Sequence, residues 1–342
     1  LGAAGAATAI TAADNKAQVI VLERQPMATL RSNTRLSGGY IHCPDKRGSK
    51  KALLSYFTAL FSGAYDSLPS VGEEEAVSKK MAQHWTDITP HLVDWLKSLD
   101  PDLKMLKTGG GAQYVNFPGA KECSYAVYRS SYQDVINNKT TTYNLPKSKA
   151  TEGEALHQAL IHGIQVRKDR ITVMDKTRAV ELITDENKRV VGIAAKNGGK
   201  TIRIAAKKGV ALCCGGYEYS APMRKAFFGG LPVAGWAFYG TIFNEGDGIR
   251  MGLDAGASLT KAGSCAARMI WAPPVEFNGM RIGVTTNGIG SPHSIVVNSL
   301  GERFANESLI TGGITNNCFY EKACEQSLKT LTFDNLPSWL VM

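Results

Sequence analysis

Two glycines, Gly2 and Gly5, open the small-residue run "LGAAGAATAITAAD", which leads to the apolar segment "VIVL" and an acid, Glu23. A dinucleotide-binding turn reads G-x-G-x-x-G between a strand and a helix, with an acid about 20 residues on. Gly2 and Gly5 fit its second and third glycines, and the first would fall just before Leu1. At those places Gly2 lets the backbone approach a pyrophosphate and Gly5 lets the helix pack closely on a sheet. Glu23 ends the next strand, where a carboxylate accepts hydrogen bonds from ribose hydroxyls. The competing reading is an Ala/Gly-rich packing helix; the strand and acid standing where a ligand needs them favour the nucleotide. Other chemistry-bearing positions stay open. Asp247 in "NEGDGI" is either a hydroxyl acceptor or a plain Asp-Gly turn residue. Cys213-Cys214 are either small buried side chains or a redox pair. His293 is either an acid or base, since His titrates near neutrality, or a surface histidine.

The elements that must position these residues follow from periodicity. Residues 2–13 read as a helix, and 18–22 as a buried parallel strand because nearly all are apolar. Residues 50–100 read as helical, with "KKALLSYFTALFSGAY" and "HLVDWLKSL" at helical spacing. "KTGGGAQYVNFPGAKE" reads as a loop, and residues 120–150 as polar and irregular. A capping box, Thr151 to Glu154, starts the next helix. The strands "ITVMDK", "RAVELITD", "RVVGIAAKN" and "KTIRIAAK" follow, and the turns "DENK" and "NGGK" favour an antiparallel meander. "GVALCCGGY" reads as a further buried strand, "NEGDGIRMGLDAGA" as a loop entering a short helix, and "SIVVNSLGERFANE" as strand, turn and strand.

Composition bounds the rest. A chain of 342 residues holds about two domains. Its 44% hydrophobic and 20% charged residues are ordinary for a globular protein, and 35 glycines imply many tight turns. The net charge of +9 is scattered, which suits either a solvated basic surface or a field drawing in anionic ligands. No nucleic-acid motif is visible, no apolar run is long enough to span a bilayer, and no signal peptide is recognisable. Seven cysteines in no metal-binding spacing point to free thiols in a reducing, cytoplasmic setting.

Five ordered motifs carry a family resemblance. "VIVLER", "SNTRLSGGY", "RVVGIAAKNGGKTIRIAAKKGVALCCGGYEYS", "NEGDGIRMGLDAGA" and "VVNSLGERFANE" resemble successive signatures of flavoproteins related to the fumarate reductase and succinate dehydrogenase flavin subunits. That superfamily includes flavocytochrome fumarate reductases, urocanate reductases, L-aspartate oxidases and 3-ketosteroid dehydrogenases. The resemblance implies an α/β fold: a Rossmann-like FAD-binding domain over 1–262 with a β-meander and a helical insert at about 50–150, then an α+β capping domain beginning at 263–342. It implies non-covalent FAD. Gly2, Ala4 and Gly5 would lie at the pyrophosphate, and Glu23, with Arg24 beside it, at the adenosine ribose. Asn33, Thr34, Ser37, Gly38 and Gly39 would line pyrophosphate and flavin, and Ala179 would meet adenine through its backbone. Cys214 and Gly215 would lie near the cofactor, and Asp247 would hold the ribityl–flavin region. His42 stands in the general region where some relatives attach FAD covalently, in a context unlike theirs, and Tyr40 is expected to pack near the flavin.

The sequence also departs from the family pattern. Thr286-Asn287, Gly290 and Thr311 occupy the positions of the fumarate reducers' Arg-Glu-Arg proton relay. None of these is an efficient general acid near neutral pH, so fumarate and succinate are not expected substrates. The ketosteroid branch places a Tyr soon after its Asn-Glu, whereas none occurs here before Tyr320. "MIWAPPVEF", with Trp271, reads either as a pocket wall or as cap core. The family's first strand and closing segment are not found, so the chain is expected to be an internal portion of a longer polypeptide. The expected activity is hydride transfer between flavin N5 and a substrate C–C bond, in alkene reduction or its reverse. The alternatives are an amine or amino-acid oxidase and a catalytically silent flavoprotein. Expected partners are a small molecule with an activated C=C or CH–CH bond and an electron-donor domain or subunit, with no nucleic acid and no membrane span.

Overall fold

A computed structural model describes residues 1–62, 72–112, 114–136, 145–228, 236–259, 262, 270–277, 280–284, 292–307 and 322–342. The chain divides into two compact units, Leu1–Cys213 and Cys214–Met342.

In the first unit, helix α1 (Ala3–Asp14) buries Ala6, Ala9, Ile10 and Ala13, one stripe at helical spacing. Strand β1 (Val19–Leu22) follows; it is not the buried strand expected, since Ile20 is 50% exposed and Val19, Val21 and Leu22 are half-buried, with β5 its partner among the described residues. The one-turn helix α2 (Asn33–Leu36) is capped by Ser32, whose Oγ accepts from Arg35 N. Strand β2 is Tyr40–His42. Helix α3 (Lys50–Phe61) is capped by Ser49, and α4 (Gly72–Ile88) and α5 (Leu92–Leu99) complete the expected helical stretch. Strands β3 (Lys104–Gly110) and β4 (Ala126–Ser131) precede helix α6 (Glu152–Gln165). Strand β5 (Ile171–Met174) and the meander β6 (Thr177–Thr184), β7 (Val190–Asn197) and β8 (Lys200–Ala205) close the unit.

β1 and β5 pair in parallel, Val19 opposite Ile171. The meander is antiparallel in the order β6–β7–β8. Its second turn is the two-glycine loop Gly198-Gly199, both at positive φ, which matches the twist of a two-residue hairpin. Asp185 builds the first turn by accepting from the amides of Asn187 and Arg189.

Among the described residues, the first unit forms two apolar cores. One gathers Ile10, Leu96, Leu99, Ala159, Leu160 and Ile171 from α1, α5, α6 and β5, with Leu103 from the turn before β3. Gly163 lies where α6 crosses this core: a Cβ there would stand 2.9 Å from Ile10 Cδ1 and 3.2 Å from Leu99 Cδ2. A mid-helix glycine costs about 1 kcal/mol relative to alanine, and close packing of Ile10 offsets it. The other core is aromatic, with Tyr56, Phe57, Phe117 and Tyr125 around α3.

Four local expectations are corrected. Residues 126–131 are not irregular, because β4 is the central strand of the antiparallel sheet β2–β4–β3 and takes its pairing from both neighbours. Lys107–Gly110 extend β3 rather than join the loop, with an irregularity between Lys107 and Gly109. The Thr151–Glu154 capping box does not form: Thr151 makes no side-chain cap, and Glu154 turns to Arg35. No strand forms over 209–217, where most residues are half to fully exposed. An apolar run becomes a strand only where a neighbour satisfies its backbone, and among the described residues none pairs with this one. Cys213 and Cys214 are accordingly not buried strand-end side chains: Cys214 is exposed, and Cys213 is half-buried 3.8 Å from Thr8 Oγ1.

The second unit holds helices α7 (Ala221–Phe227) and α8 (Asp247–Asp254) and the two-residue strands β9 (Glu276–Phe277) and β10 (Met280–Arg281). Strands β11 (Ile295–Val297) and β12 (Trp339–Val341) pair antiparallel. The strand expected after the Ser299–Gly301 turn reduces to one bridge, Val297 with Arg303. No described helix is long and apolar enough to cross a membrane.

His157, on α6, is buried between Arg35 and Glu154, and its Nε2 has no hydrogen-bond partner among the described residues. Burial, with help from the Arg35 charge and against Glu154, lowers its pKa from 6.5 to about 4. The unfolded chain therefore binds this proton first, and stability falls as pH drops from 6.5 toward 4 while staying flat above. Urea unfolding at pH 7.5 and 5 should show the wild type losing about 2 kcal/mol more than His157→Leu over that interval. Equal losses would remove His157 as the cause.

Candidate functional site

The start of α1 is the centre of the first unit's candidate site. Gly2 is its N-cap in extended conformation and offers no side chain, so the first-turn amides depend on other groups. Ala3 N donates to Thr34 Oγ1 at 2.7 Å, which ties α1 to the first turn of α2. A Cβ on Gly2 would approach Thr34 Oγ1 to 3.3 Å, so the glycine permits this contact. Ala3 and Ala4 are exposed, leaving the positive end of the helix dipole accessible. Gly5 faces Cys213, whose Cβ would lie 3.5 Å from an added Cβ. The glycine thus accommodates the segment before Cys213.

Glu23 leaves β1 buried. Its amide donates to Met174 O, and its carbonyl accepts from Thr177 N. The carboxylate's Oε1 accepts from Gln25 N at 2.8 Å. Arg24 is half-buried beside it. Ala179 stands next to a bulge in β6: Ala179 and Glu181 have partners on β7, and Val180 between them has none in the register. A bulge disrupts the ladder locally, and this one lies beside the position expected to meet adenine.

The glycine loop after α2 is tightly determined. Ser37 Oγ donates to Thr34 O at 2.7 Å and accepts from Gly39 N at 3.1 Å. Gly39 has φ +62, and a Cβ there would lie 2.4 Å from the Glu152 carbonyl carbon. A Cβ on Gly38 would lie 2.7 Å from the Tyr40 ring. Asn33 and Tyr40 are exposed next to this loop. His42 packs its ring 5.3 Å from Tyr125, its Nδ1 has no partner among the described residues, and burial lowers its pKa.

In the second unit, the motifs at 214–217 and 244–247 meet. Gly246 N donates to Gly216 O at 3.0 Å, and Tyr219 N donates to Asn244 O. Gly215 has φ +77, and a Cβ there would lie 2.4 Å from Asn244 Oδ1. Asp247 is the buried first residue of α8, with Oδ1 3.3 Å from Arg250 Nη2. The "VVNSLGERFANE" motif is a scaffold. Asn298 Oδ1 accepts the amides of Leu300 and Glu302, and Glu307 accepts from Val296 N and from Arg303. Burial opposes ionisation of Glu307, yet these bonds hold its carboxyl below the usual range. Of the open readings, His293 is exposed at φ 66 and Trp271 is 53% exposed, which favours a surface histidine and speaks against cap core. Thr286, Asn287, Gly290, Thr311 and Tyr320 lie outside the described residues.

Sequence reasoning missed Arg129, Glu152, Gly153 and the Arg35–Glu154 pair, all of which bear on the glycine loop. Only Gly153, a glycine at a helix start, left a local signal.

The model of the FAD binding domain family matches residues 2–335. A 3-oxosteroid 1-dehydrogenase of Mycobacterium tuberculosis (strain ATCC 25618 / H37Rv) is 32% identical over 138 residues, 40% of this chain and 23% of that protein. A 4-oxocyclohex-2-ene-1-carboxylate 5-dehydrogenase of Sinomonas cyclohexanicum is 32% identical over 134 residues, 38% of this chain and 22% of that protein. The 3-ketosteroid Δ1-dehydrogenase structure from Sterolibacterium denitrificans superimposes with a TM-score of 0.74 at 21% identity, covering 99% of this chain and 66% of the other. A flavocytochrome c3 fumarate reductase gives 0.59 at 19% identity, covering 95% and 50%. The shared fold is the Rossmann-like flavoprotein fold. The matched stretches span less than a quarter of these two curated relatives.

Gly39→Ala should destabilise the first unit by about 2 kcal/mol or more, since a left-handed alanine costs about 1–2 kcal/mol before the clash with Glu152 is counted. Gly199→Ala is the control: φ there is +81 with nothing within 4 Å of the added Cβ. Denaturant midpoints should separate the two variants, and equal midpoints would refute the close approach.

Proposed function

This chain belongs to the FAD binding domain family, and from that premise we propose that it serves an FAD-dependent oxidoreductase acting on a CH–CH or C=C bond activated by a neighbouring ring carbonyl. The observation that carries the reading is the start of α1, with accessible first-turn amides and the Ala3–Thr34 bond, together with the buried acid Glu23 at the end of β1. These donors suit a pyrophosphate, because a helix N-terminus favours anions. The Glu23 carboxylate, buried at the strand end, suits ribose hydroxyls. The donor set therefore fits the dinucleotide half of FAD.

When bound, the flavin supplies the centre that accepts or gives hydride. The chain's own residues bind and orient. Thr34 holds α1 and α2 in register and Ser37 shapes the glycine loop; Asp247 and Gly215, in the second unit, would be its residues for the cofactor. We assign residues 1–262 to the FAD-binding domain and 263–342 to the beginning of a substrate cap. The substrate class is supported by the names of the relatives, which act on a 3-oxosteroid and on an oxocyclohexene carboxylate. Fumarate is disfavoured because the relay positions carry Thr286, Asn287, Gly290 and Thr311. The reaction also needs an electron donor or acceptor, as a further domain, subunit or soluble carrier.

The test uses the full-length polypeptide that carries this chain. Purified protein should hold FAD, and its flavin absorbance should bleach anaerobically with a saturated 3-oxosteroid or 4-oxocyclohexane carboxylate and stay unchanged with succinate. Failure to bind FAD would overturn the cofactor reading. Bleaching by amino acids with peroxide release in air would overturn the substrate class.

A further inference from the structure

The glycine loop Ser37–Tyr40 is gripped on one side only. Ser37 O accepts from Gly153 N at 3.0 Å, Gly38 O from Arg129 Nε at 3.2 Å, and Gly39 O from Ser130 N at 3.4 Å. Three consecutive carbonyls thus face α6 and β4. A trans peptide sets its N–H opposite its C=O, so the Gly38 and Gly39 amides face the other way. The Gly39 amide is taken by Ser37 Oγ, which leaves the Gly38 amide as the donor the loop aims outward.

Arg129 is the side chain that makes this possible. It is buried, donates to Gly38 O, lies 4.7 Å over the Tyr40 ring and forms an ion pair with Glu152. Glu152 sits at φ 60, a left-handed conformation unfavourable for a residue with a side chain. That conformation belongs to the turn that lets Gly153 approach the loop: a Cβ on Gly153 would lie 2.4 Å from both Ser37 O and Thr34 O. A second pair, Arg35–Glu154 at 2.6 and 2.8 Å, fastens α2 to the same turn of α6. Strain at Glu152 with a buried cation closing on it is the pattern of a position held by its surroundings for a purpose.

We propose that Arg129 and Glu152 form a positioning clamp that fixes the peptide planes of Ser37–Gly39 and aims the Gly38 amide at the cofactor. The clamp is a feature of the chain itself; its purpose rests on the FAD reading above.

The test compares wild type with Arg129→Gln, Glu152→Gln, the double variant and Arg129→Lys, in the full-length protein. Hydrogen exchange without FAD reports the loop directly, with peptides from β7 as the control for global opening. The Gly39 amide, held by Ser37 Oγ, and the Gly153 and Ser130 amides, held by the loop carbonyls, should exchange about tenfold faster in either Gln variant, and no faster again in the double variant, because one coupled pair has been removed. Arg129→Lys keeps the charge without the planar fork and should fall between. With FAD added, the Gln variants should bind about tenfold more weakly and shift the flavin midpoint potential, a change that mere destabilisation would not produce. Unchanged loop exchange overturns the clamp, and so does faster loop exchange matched by β7. Faster loop exchange with unchanged flavin affinity and potential overturns its positioning role. A wild type that binds no FAD overturns the cofactor reading and with it the clamp's purpose, while the exchange data still decide whether the clamp exists.

Discussion

The first turn of α6 lies against the glycine loop backbone to backbone, and the rest of the candidate site depends on that approach. Gly153 must lack a side chain to reach Ser37 and Thr34, and Gly39 must lack one to reach Glu152. Each surface removes its Cβ at the point where the other arrives. The contact then fixes Thr34, Thr34 fixes the start of α1, and α1 packs its small-residue stripe under Gly163 of the same α6. One helix therefore sets the position of the glycine loop and of the exposed start of α1.

Charge completes what close packing begins. Both acids in the first turn of α6 are matched by arginines from elsewhere, Glu152 by Arg129 and Glu154 by Arg35. Replacing such a buried pair with apolar groups is often neutral, but removing one partner strands a buried charge at roughly 3–5 kcal/mol. Their value is in specifying one arrangement. His157 lies one helical turn beyond Glu154 and stays neutral under the same burial, so no third charge enters the cluster.

The elements most legible in the sequence were those governed by local rules. The Ala/Gly stripe of α1, the apolar run of β1 and the Gly198-Gly199 turn each carry their own periodicity or turn chemistry, and each formed where expected. Glu23 was legible as a strand-end acid at the spacing a ribose requires. β4 was not, because a central strand flanked on both sides takes its stability from pairing rather than from its own composition. The Thr151–Glu154 capping box failed for the complementary reason: a local hydrogen bond of modest worth lost Glu154 to a bidentate buried arginine 119 residues away.

The sequence by itself determined the family, the order of the motifs and the identity of the residues at α1, Glu23 and the glycine loop, because those depend on residue type and short spacing. Tertiary structure alone decided which carboxylate meets which arginine, that the carbonyls of Ser37–Gly39 all turn to one side, and that 209–217 is no strand. These outcomes depend on partners 90 or more residues away in sequence for Arg129 and Gly38, and on whether a neighbouring backbone is present to pair. Hydrogen bonds and ion pairs are short-ranged, so they can be assigned only once the fold has brought their members within reach.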